Sequence, residues 1–288
     1  MTAHLTIDRW PDSYAVCRLD PTAAVPEWAS RGRLHSITRT ATELSIICDA
    51  DGVPSDVRAE RGYRVLAVRG PLDLKLTGVL AGLVAPLAAA GISVFAIATY
   101  DTDHLLVREH DIDLAATVLR NAGYEVPTVA ICRERLPSPL ADRLIASLNA
   151  ELTAMYPEAG ATHFRLDPEE VAPGLGAFVV AFAGDAPVGC GAMRRIEPGT
   201  GELKRMYVVP SARGTGIGRA LVDALEREAR HIGIRRLVLE TGIRQIAALA
   251  LYEHTGFGRI PLYGEYAKSA DTSICMGKDL YSRDSLSL

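Results

Sequence analysis

The sequence predicts a two-domain chain of the α+β and α/β class, and three observations carry that reading. The chain has 288 residues, enough for two ordinary domains. Short β-rich runs alternate with amphipathic helical stretches along its length. Val126-Pro127-Thr128 interrupts that alternation and sets the domains at 1–126 and 127–288. A hydrophobic content of 48% with 23% charged residues marks a globular chain.

In the first domain, His4–Arg9 and Tyr14–Leu19 read as short strands, and Pro21–Ser30 holds a short helix. Leu34–Arg39 and Glu43–Cys48 read as a hairpin, followed by the turn cluster Asp49-Ala-Asp-Gly-Val-Pro. In the strand Tyr63–Arg69, Val65, Ala67 and Arg69 alternate against Leu66 and Val68. Gly70-Pro71 stops it. A helix over Leu76–Ala90, strands over Ile92–Thr99 and His104–Arg108, a helix over Ile112–Asn121 and a strand over Tyr124–Val126 follow. Strand, helix, strand, strand, helix, strand is the ferredoxin-like βαββαβ order, and the first sixty residues read as a partial copy of it. Leu76–Tyr100 carries no charge and has the length of a membrane span. Pro86 and Gly91 break it, and the run after Ser93 is β-branched and aromatic, so a buried helix and strand explain it and no membrane partner is expected.

The second domain opens on a strand, Val129–Cys132. Ser138 and Pro139 stand at capping positions of a helix whose apolar face is Leu140, Leu144, Ile145, Leu148 and Leu152, and Pro157 ends it. Ala177–Ala183 and Pro187–Arg195 form a hairpin over Gly184-Asp185. A turn at Pro198-Gly-Thr-Gly201 leads into the strand Leu203–Val209, closed by Pro210. Then comes Arg213-Gly214-Thr215-Gly216-Ile217-Gly218, opening a helix that runs to about Ile232, buries Ile217, Leu221, Ala224, Leu225 and Ile232, and stops at Gly233.

That glycine-rich turn organises the chain. Between a strand and a helix start it leaves backbone N–H groups unpaired at the positive end of the helix dipole, which is an anion site. No lysine follows Gly218, so it is not a nucleotide-triphosphate loop, and it lacks the setting of a dinucleotide turn. A plain tight strand–helix connection is the alternative.

The net charge is −4 and no Lys/Arg block stands out, so no nucleic-acid partner is expected. Met1–Trp10 has no basic segment followed by an apolar one. Cys17, Cys48, Cys132, Cys190 and Cys275 are widely spaced with no Cys-x-x-Cys, so neither a metal site nor a disulfide framework is expected, and reduced thiols point to the cytoplasm.

Arg213-x-x-Gly216-x-Gly218 after Tyr207-Val-Val-Pro, then Leu237-Val-Leu-Glu-Thr241, Gln245-x-x-Ala248-x-x-x-Tyr252 and Gly256-Phe257, resembles the GNAT acyltransferase superfamily over roughly residues 128–280. The resemblance implies a central mixed β-sheet, acetyl-CoA as co-substrate and no metal. Its pyrophosphate would rest on the backbone from Arg213 through Gly214, Thr215, Gly216 and Ile217 to Gly218. Met206, Tyr207 and Val208 would lie along the pantetheine arm, one strand N–H serving as oxyanion donor. Gln245 is a further coenzyme contact, where the family often has Asn. The family places a tyrosine beside the coenzyme sulfur, which makes Tyr252 the general acid for the leaving thiolate. The alternative is a core residue on an apolar face with Ala248, Leu249 and Leu251. Glu202, eleven residues before Arg213, stands where histone-type members carry the base, and Glu240 is the second choice. The alternative for Glu202 is a solvated strand-end carboxylate paired with Lys204.

Gly70-Pro-Leu-Asp-Leu-Lys-Leu-Thr-Gly-Val-Leu80 with Gly91–Asp103 resembles the paired ACT domains of CASTOR-type amino-acid sensors, well over 60–126 and less well over 1–60. The resemblance implies a tandem ACT unit that binds an amino-acid effector. Leu76, Thr77, Gly78 and Val79 at the helix start would meet a carboxylate, with Ser93, Val94 and Asp101 beside them. Alternatively, Gly78 only permits close packing and Asp101 and Asp103 only form a turn. The whole fusion resembles actinobacterial amino-acid-regulated protein lysine acetyltransferases. That implies a protein lysine acceptor, for instance on a metabolic enzyme such as an acyl-CoA synthetase, and allows a homo-oligomer. A free amino acid or small amine as acceptor, or a catalytically silent sensor, are the rival readings.

Overall fold

The computed structural model describes residues 5–157, 165–268 and 271–281. It divides into two compact units, Met1–Ala130 and Ile131–Leu288.

The first unit is built on an antiparallel sheet of β1 (Ile7–Arg9), β2 (Tyr14–Leu19), β3 (Ser36–Arg39), β4 (Leu44–Asp49), β5 (Ala59–Val68), β6 (Phe95–Ala98) and β7 (Asp103–Arg108). The order is β3-β4-β2-β5-β7-β6, with β1 pairing onto the far half of β5. The alternation along β5 sorts its residues between two cores. Leu66 and Val68 join Leu83, Leu87 and Leu119 of helices α1 (Val79–Ala89) and α2 (Ile112–Asn121), while Val65 and Ala67 join Tyr14, Ile47 and Leu106. Helix α1 begins later than Leu76 because Gly78, at φ 80°, caps it in the left-handed region. The short helix expected over Pro21–Ser30 is a single 3₁₀ turn, Glu27–Ser30. The strand expected at Tyr124–Val126 is reduced to one bridge, Thr6 with Glu125. The chain's own start occupies the place it would take, since β1 pairs with β5 from Ile7↔Val68 to Arg9↔Leu66.

The second unit is a seven-stranded sheet in the order β13-β14-β12-β11-β10-β9-β8. Its strands are β8 (Val129–Glu134), β9 (Gly176–Ala183), β10 (Ala186–Glu197), β11 (Thr200–Val208), β12 (Arg236–Gly242), β13 (Gly258–Ile260) and β14 (Ser273–Asp279). The pair β11–β12 is parallel, and β9–β10, β10–β11, β12–β14 and β13–β14 are antiparallel. Helix α3 (Pro139–Met155) starts as the sequence requires, with the Ser138 hydroxyl accepting the Ala141 N–H at 3.1 Å. Helix α4 (Ile217–His231) buries Ile217, Leu221, Ala224 and Leu225, and α5 (Ile246–His254) follows β12. All five cysteines are buried free thiols. Among the described residues no helix is long and apolar enough to cross a membrane.

Candidate active site

Two neighbouring strands part company to open the site. β11 and β12 pair only from Thr200↔Arg236 to Leu203↔Leu239. Beyond that, β12 stays with β14 as far as Gly242↔Ser273 and β11 stays with β10 as far as Val208↔Gly189. Between them lies a cleft of about 530 Å³, walled by α3 (Leu148, Glu151, Leu152, Met155), β11 (Met206, Tyr207, Val208), the glycine turn and α5. A bulge marks the point of divergence: Arg205 and Met206 stand opposite Gly191 alone, and Arg205 sits at φ 56°.

The glycine turn uses its residues in two ways. Gly214 at φ 77° and Gly216 at φ 88° take backbone conformations that a side chain would strain. Gly216 is the N-cap of α4 and no side chain caps the helix, so the first N–H groups of α4 remain available at the positive end of its dipole. Gly218 answers a different need. A Cβ there would stand 3.0 Å from Leu251 Cδ2, so this glycine lets α4 approach α5. The side chains brace the turn. Arg213 donates from Nε to the Val208 carbonyl at 2.9 Å and pairs with Glu151 at 2.7 Å, and the Thr215 hydroxyl donates to the Ala212 carbonyl at 2.7 Å. The backbone N–H groups of the turn are left to meet a ligand.

Tyr252 of α5 lines this cleft and also an adjoining polar cavity of about 90 Å³. Its side chain is buried edge-on against Phe257, with ring centroids 5.9 Å apart. Burial raises its phenol above the ordinary tyrosine value, and the nearby Glu240 charge adds to the effect. The adjoining cavity is lined by Leu148, Leu152, Leu203 and Ala248 on its apolar side and by Lys204, Arg205, Glu240, Thr241 and Tyr266 on its polar side. Lys204 donates to Glu265 at 3.2 Å and Tyr266 at 3.1 Å, and Arg205 donates to Asn149 Oδ1 at 3.2 Å. Gln245 touches both cavities, and its Oε1 accepts the Thr241 hydroxyl at 2.9 Å and the Gly242 N–H at 2.8 Å. Its carbonyl oxygen therefore shapes the β12–α5 turn.

Glu202 stands apart from the other candidates. It lines neither cavity and is 1% exposed, so it is not the solvated strand-end carboxylate that its sequence position allows. Its Oε1 accepts the Tyr263 hydroxyl at 2.9 Å and the Tyr266 hydroxyl at 2.8 Å, and its Oε2 accepts Arg194 at 2.7 Å. Lys204 is 4.0 Å away, so the pair expected from the sequence is the weakest contact in the group. Glu240, by contrast, faces the cavity beside Tyr252.

In the first unit, Leu76, Thr77 and Gly78 form the exposed turn that enters α1, the Leu76 N–H donating to the Asp73 carbonyl at 2.9 Å. Val79 and Val94 pack against the same core, and Ser93 precedes β6 with its side chain exposed. Asp101 lies in the β6–β7 turn, where its carbonyl accepts the Leu72 N–H at 2.8 Å. Gly70 is needed there, because a Cβ on it would stand 2.6 Å from that carbonyl.

Sequence reasoning missed Tyr156, Arg194, Tyr263 and Tyr266. The spacing Tyr263-x-x-Tyr266 was a readable signal, since it puts two phenols on one side of a turn. The reach of Arg194 across the β10–β11 hairpin follows from its register with Glu202.

Three family models match the chain. An N-terminal domain model covers residues 12–56, an ACT domain model covers 58–121, and the acetyltransferase (GNAT) family model covers 141–257. Over 145 residues the chain is 43% identical to the IAA acetyltransferase of Azospirillum brasilense, a match that takes in 49% of this chain and 92% of that protein. An uncharacterized N-acetyltransferase of Escherichia coli K12, YjgM, is 38% identical over 94 residues, and the match spans 31% of this chain and 54% of that protein. The cytosolic arginine sensor for mTORC1 subunit 1 of Bos taurus is 32% identical over 101 residues, 31% of each chain. An ACT domain is thus followed by an acetyltransferase domain, and the chain belongs to the GNAT family of acetyltransferases.

Proposed function

We propose that this chain is an acetyl-CoA-dependent N-acetyltransferase of the cytoplasm, that its acceptor is a protein lysine side chain, and that an amino acid held by the ACT part sets its rate. The observation that carries this is Tyr252, which stands at the junction of the cleft lined by the glycine turn and a second cavity that Glu240 lines together with Lys204 and Arg205. The residues present fit acetyl-CoA. The unspent N–H groups from Gly214 to Gly218 suit its pyrophosphate, and Met206, Tyr207 and Val208 offer a strand edge to its pantetheine arm. Bound there, it supplies an activated acetyl group as a thioester. Gln245 borders it while holding the turn behind it.

In this reading, Glu240 receives the proton that the acceptor amine gives up as its nitrogen bonds to the acetyl carbon. Tyr252 gives its phenolic proton to the sulfur as the carbon–sulfur bond breaks. A raised phenol pKa keeps that proton in place until it is needed. The apolar wall of Leu148, Leu152 and Leu203 matches a methylene stem, and Glu240 beyond it matches an ammonium group. A metabolic enzyme such as an acyl-CoA synthetase is the kind of protein that would present such a lysine. Arg205 in the same wall favours a second reading, in which the acceptor is a free amino acid whose carboxylate it holds.

For regulation, residues 1–126 act as a tandem ACT module and 127–288 as the transferase, with Leu76, Thr77, Gly78, Val79, Ser93, Val94 and Asp101 as the effector contacts. An effector changes the rate only if it binds two states of the chain with different affinity. The test is release of coenzyme A with a lysine-rich protein extract, each of the twenty amino acids being added in turn. An amino acid that shifts the rate without being acetylated supports the proposal. An amino acid that is itself acetylated in the absence of protein replaces the lysine reading with the second one.

A further inference from the structure

We propose that Glu202 is a positioning residue: it clamps the turn between β13 and β14 against β11 and so fixes the wall of the cavity beside Tyr252. This rests on the acetyltransferase reading for its consequence but not for its geometry. The turn is closed by the Tyr266 N–H donating to the Tyr263 carbonyl at 3.0 Å, which brings both phenols to one side. Their rings meet edge to face with centroids 5.3 Å apart. Both hydroxyls then donate to the same oxygen of Glu202, at 2.9 and 2.8 Å. The other oxygen is held by Arg194 Nε and Nη2, each at 2.7 Å, two charge-assisted contacts converging on one atom.

Tyr266 passes this order on to the cavity. It lines that cavity and accepts Lys204 Nζ at 3.1 Å, so one carboxylate sets a phenol and an ammonium in the wall. The alternative role, a base that takes a proton from the acceptor, needs an oxygen open to the cavity. Glu202 is 1% exposed and both of its oxygens are engaged. A buried carboxylate of this kind is kept for what it orients, because removing it leaves its partners without compensation.

The experiment uses the full chain and four variants: Glu202→Gln, Glu202→Ala, Tyr263→Phe and the double change Tyr263→Phe with Tyr266→Phe. Amide hydrogen exchange is read by mass spectrometry over 261–268 and over α4, without any substrate. The expected result is exchange roughly tenfold faster over 261–268 in Glu202→Ala and in the double variant, with α4 unchanged. The double variant keeps the carboxylate, so it separates loss of the clamp from loss of a base. With acetyl-CoA and poly-lysine, the clamp predicts a raised acceptor KM in both Glu202→Gln and the double variant, at similar kcat. Unchanged exchange over 261–268 in Glu202→Ala overturns the clamp. So does a kcat collapse in Glu202→Gln that the double variant does not share. If poly-lysine is not acetylated at all, the lysine reading fails, while the exchange result still decides the clamp.

Discussion

The phenol oxygen of Tyr156 accepts the backbone N–H of Arg244 at 2.7 Å, and a Cβ on Gly242 would stand 2.1 Å from that same oxygen. The end of α3 is thereby tied to the β12–α5 turn, two walls of one cleft. Tyr156→Phe removes this part-buried hydrogen bond, which costs about 1 kcal/mol. For a domain of this size that lowers Tm by several degrees, at about 2–4 °C per kcal/mol. Gly242→Ala costs more, because the intruding carbon meets a ring held in place. Calorimetry on both variants checks this, and two unaltered Tm values would remove the tie from the account.

The two classes of glycine in the turn separate cleanly. Gly216→Ala forces a side chain into the left-handed region at φ 88°, at about 1–2 kcal/mol, and weakens acetyl-CoA binding with it. Gly218→Ala meets only the flexible end of Leu251, 3.0 Å away, and a second change, Leu251→Ala, makes room for it. Isothermal calorimetry with acetyl-CoA should show rescue for the Gly218 pair and none when Leu251→Ala is combined with Gly216→Ala.

Tyr252→Phe should lower kcat about a hundredfold with little change in acetyl-CoA affinity, the size expected for a lost general acid. The raised phenol also means that Tyr252 keeps its proton across the neutral range, so loss of activity below pH 10 in the wild-type chain belongs to another group. Pre-steady-state mixing with acetyl-CoA and acceptor distinguishes slow chemistry from slow product release. A variant with wild-type kcat would return Tyr252 to the core.

How much of this was legible in advance depended on whether neighbours in sequence did the work. The period of α4, the Ser138 cap and the alternation along β5 were readable because each is set within one element. The lost strand at Tyr124–Val126 was not, because β1 competes for the same stretch of sheet from far away in the chain. The surroundings of Glu202 were not legible for a similar reason. Its offset from the glycine turn gives no sign of Tyr263 and Tyr266, about sixty residues on, whose hydroxyls donate to it. The direction of the bulge at Arg205 has no local signature at all.

Alkaline pH should unfold the second unit early. Burial is the main cause raising the phenols of Tyr252, Tyr263 and Tyr266, with the Glu202 charge adding to the last two. Unfolded tyrosine loses its proton near pH 10, and the folded chain keeps these three. Stability is therefore complete below about pH 10 and falls as pH rises beyond it, since the folded state then binds more protons. Urea midpoints at pH 9 and pH 11 measure the drop. The double change Tyr263→Phe with Tyr266→Phe should shrink it, and an equal drop in both chains would count against the assignment.

The five buried thiols have a practical bearing on every rate discussed above. A disulfide dye that colours on meeting free sulfhydryl finds none on the surface of the folded chain, so its signal belongs to the coenzyme A set free at each turnover. The same dye becomes a clock for unfolding when the coenzyme is withheld, because colour then appears only as buried thiols are uncovered.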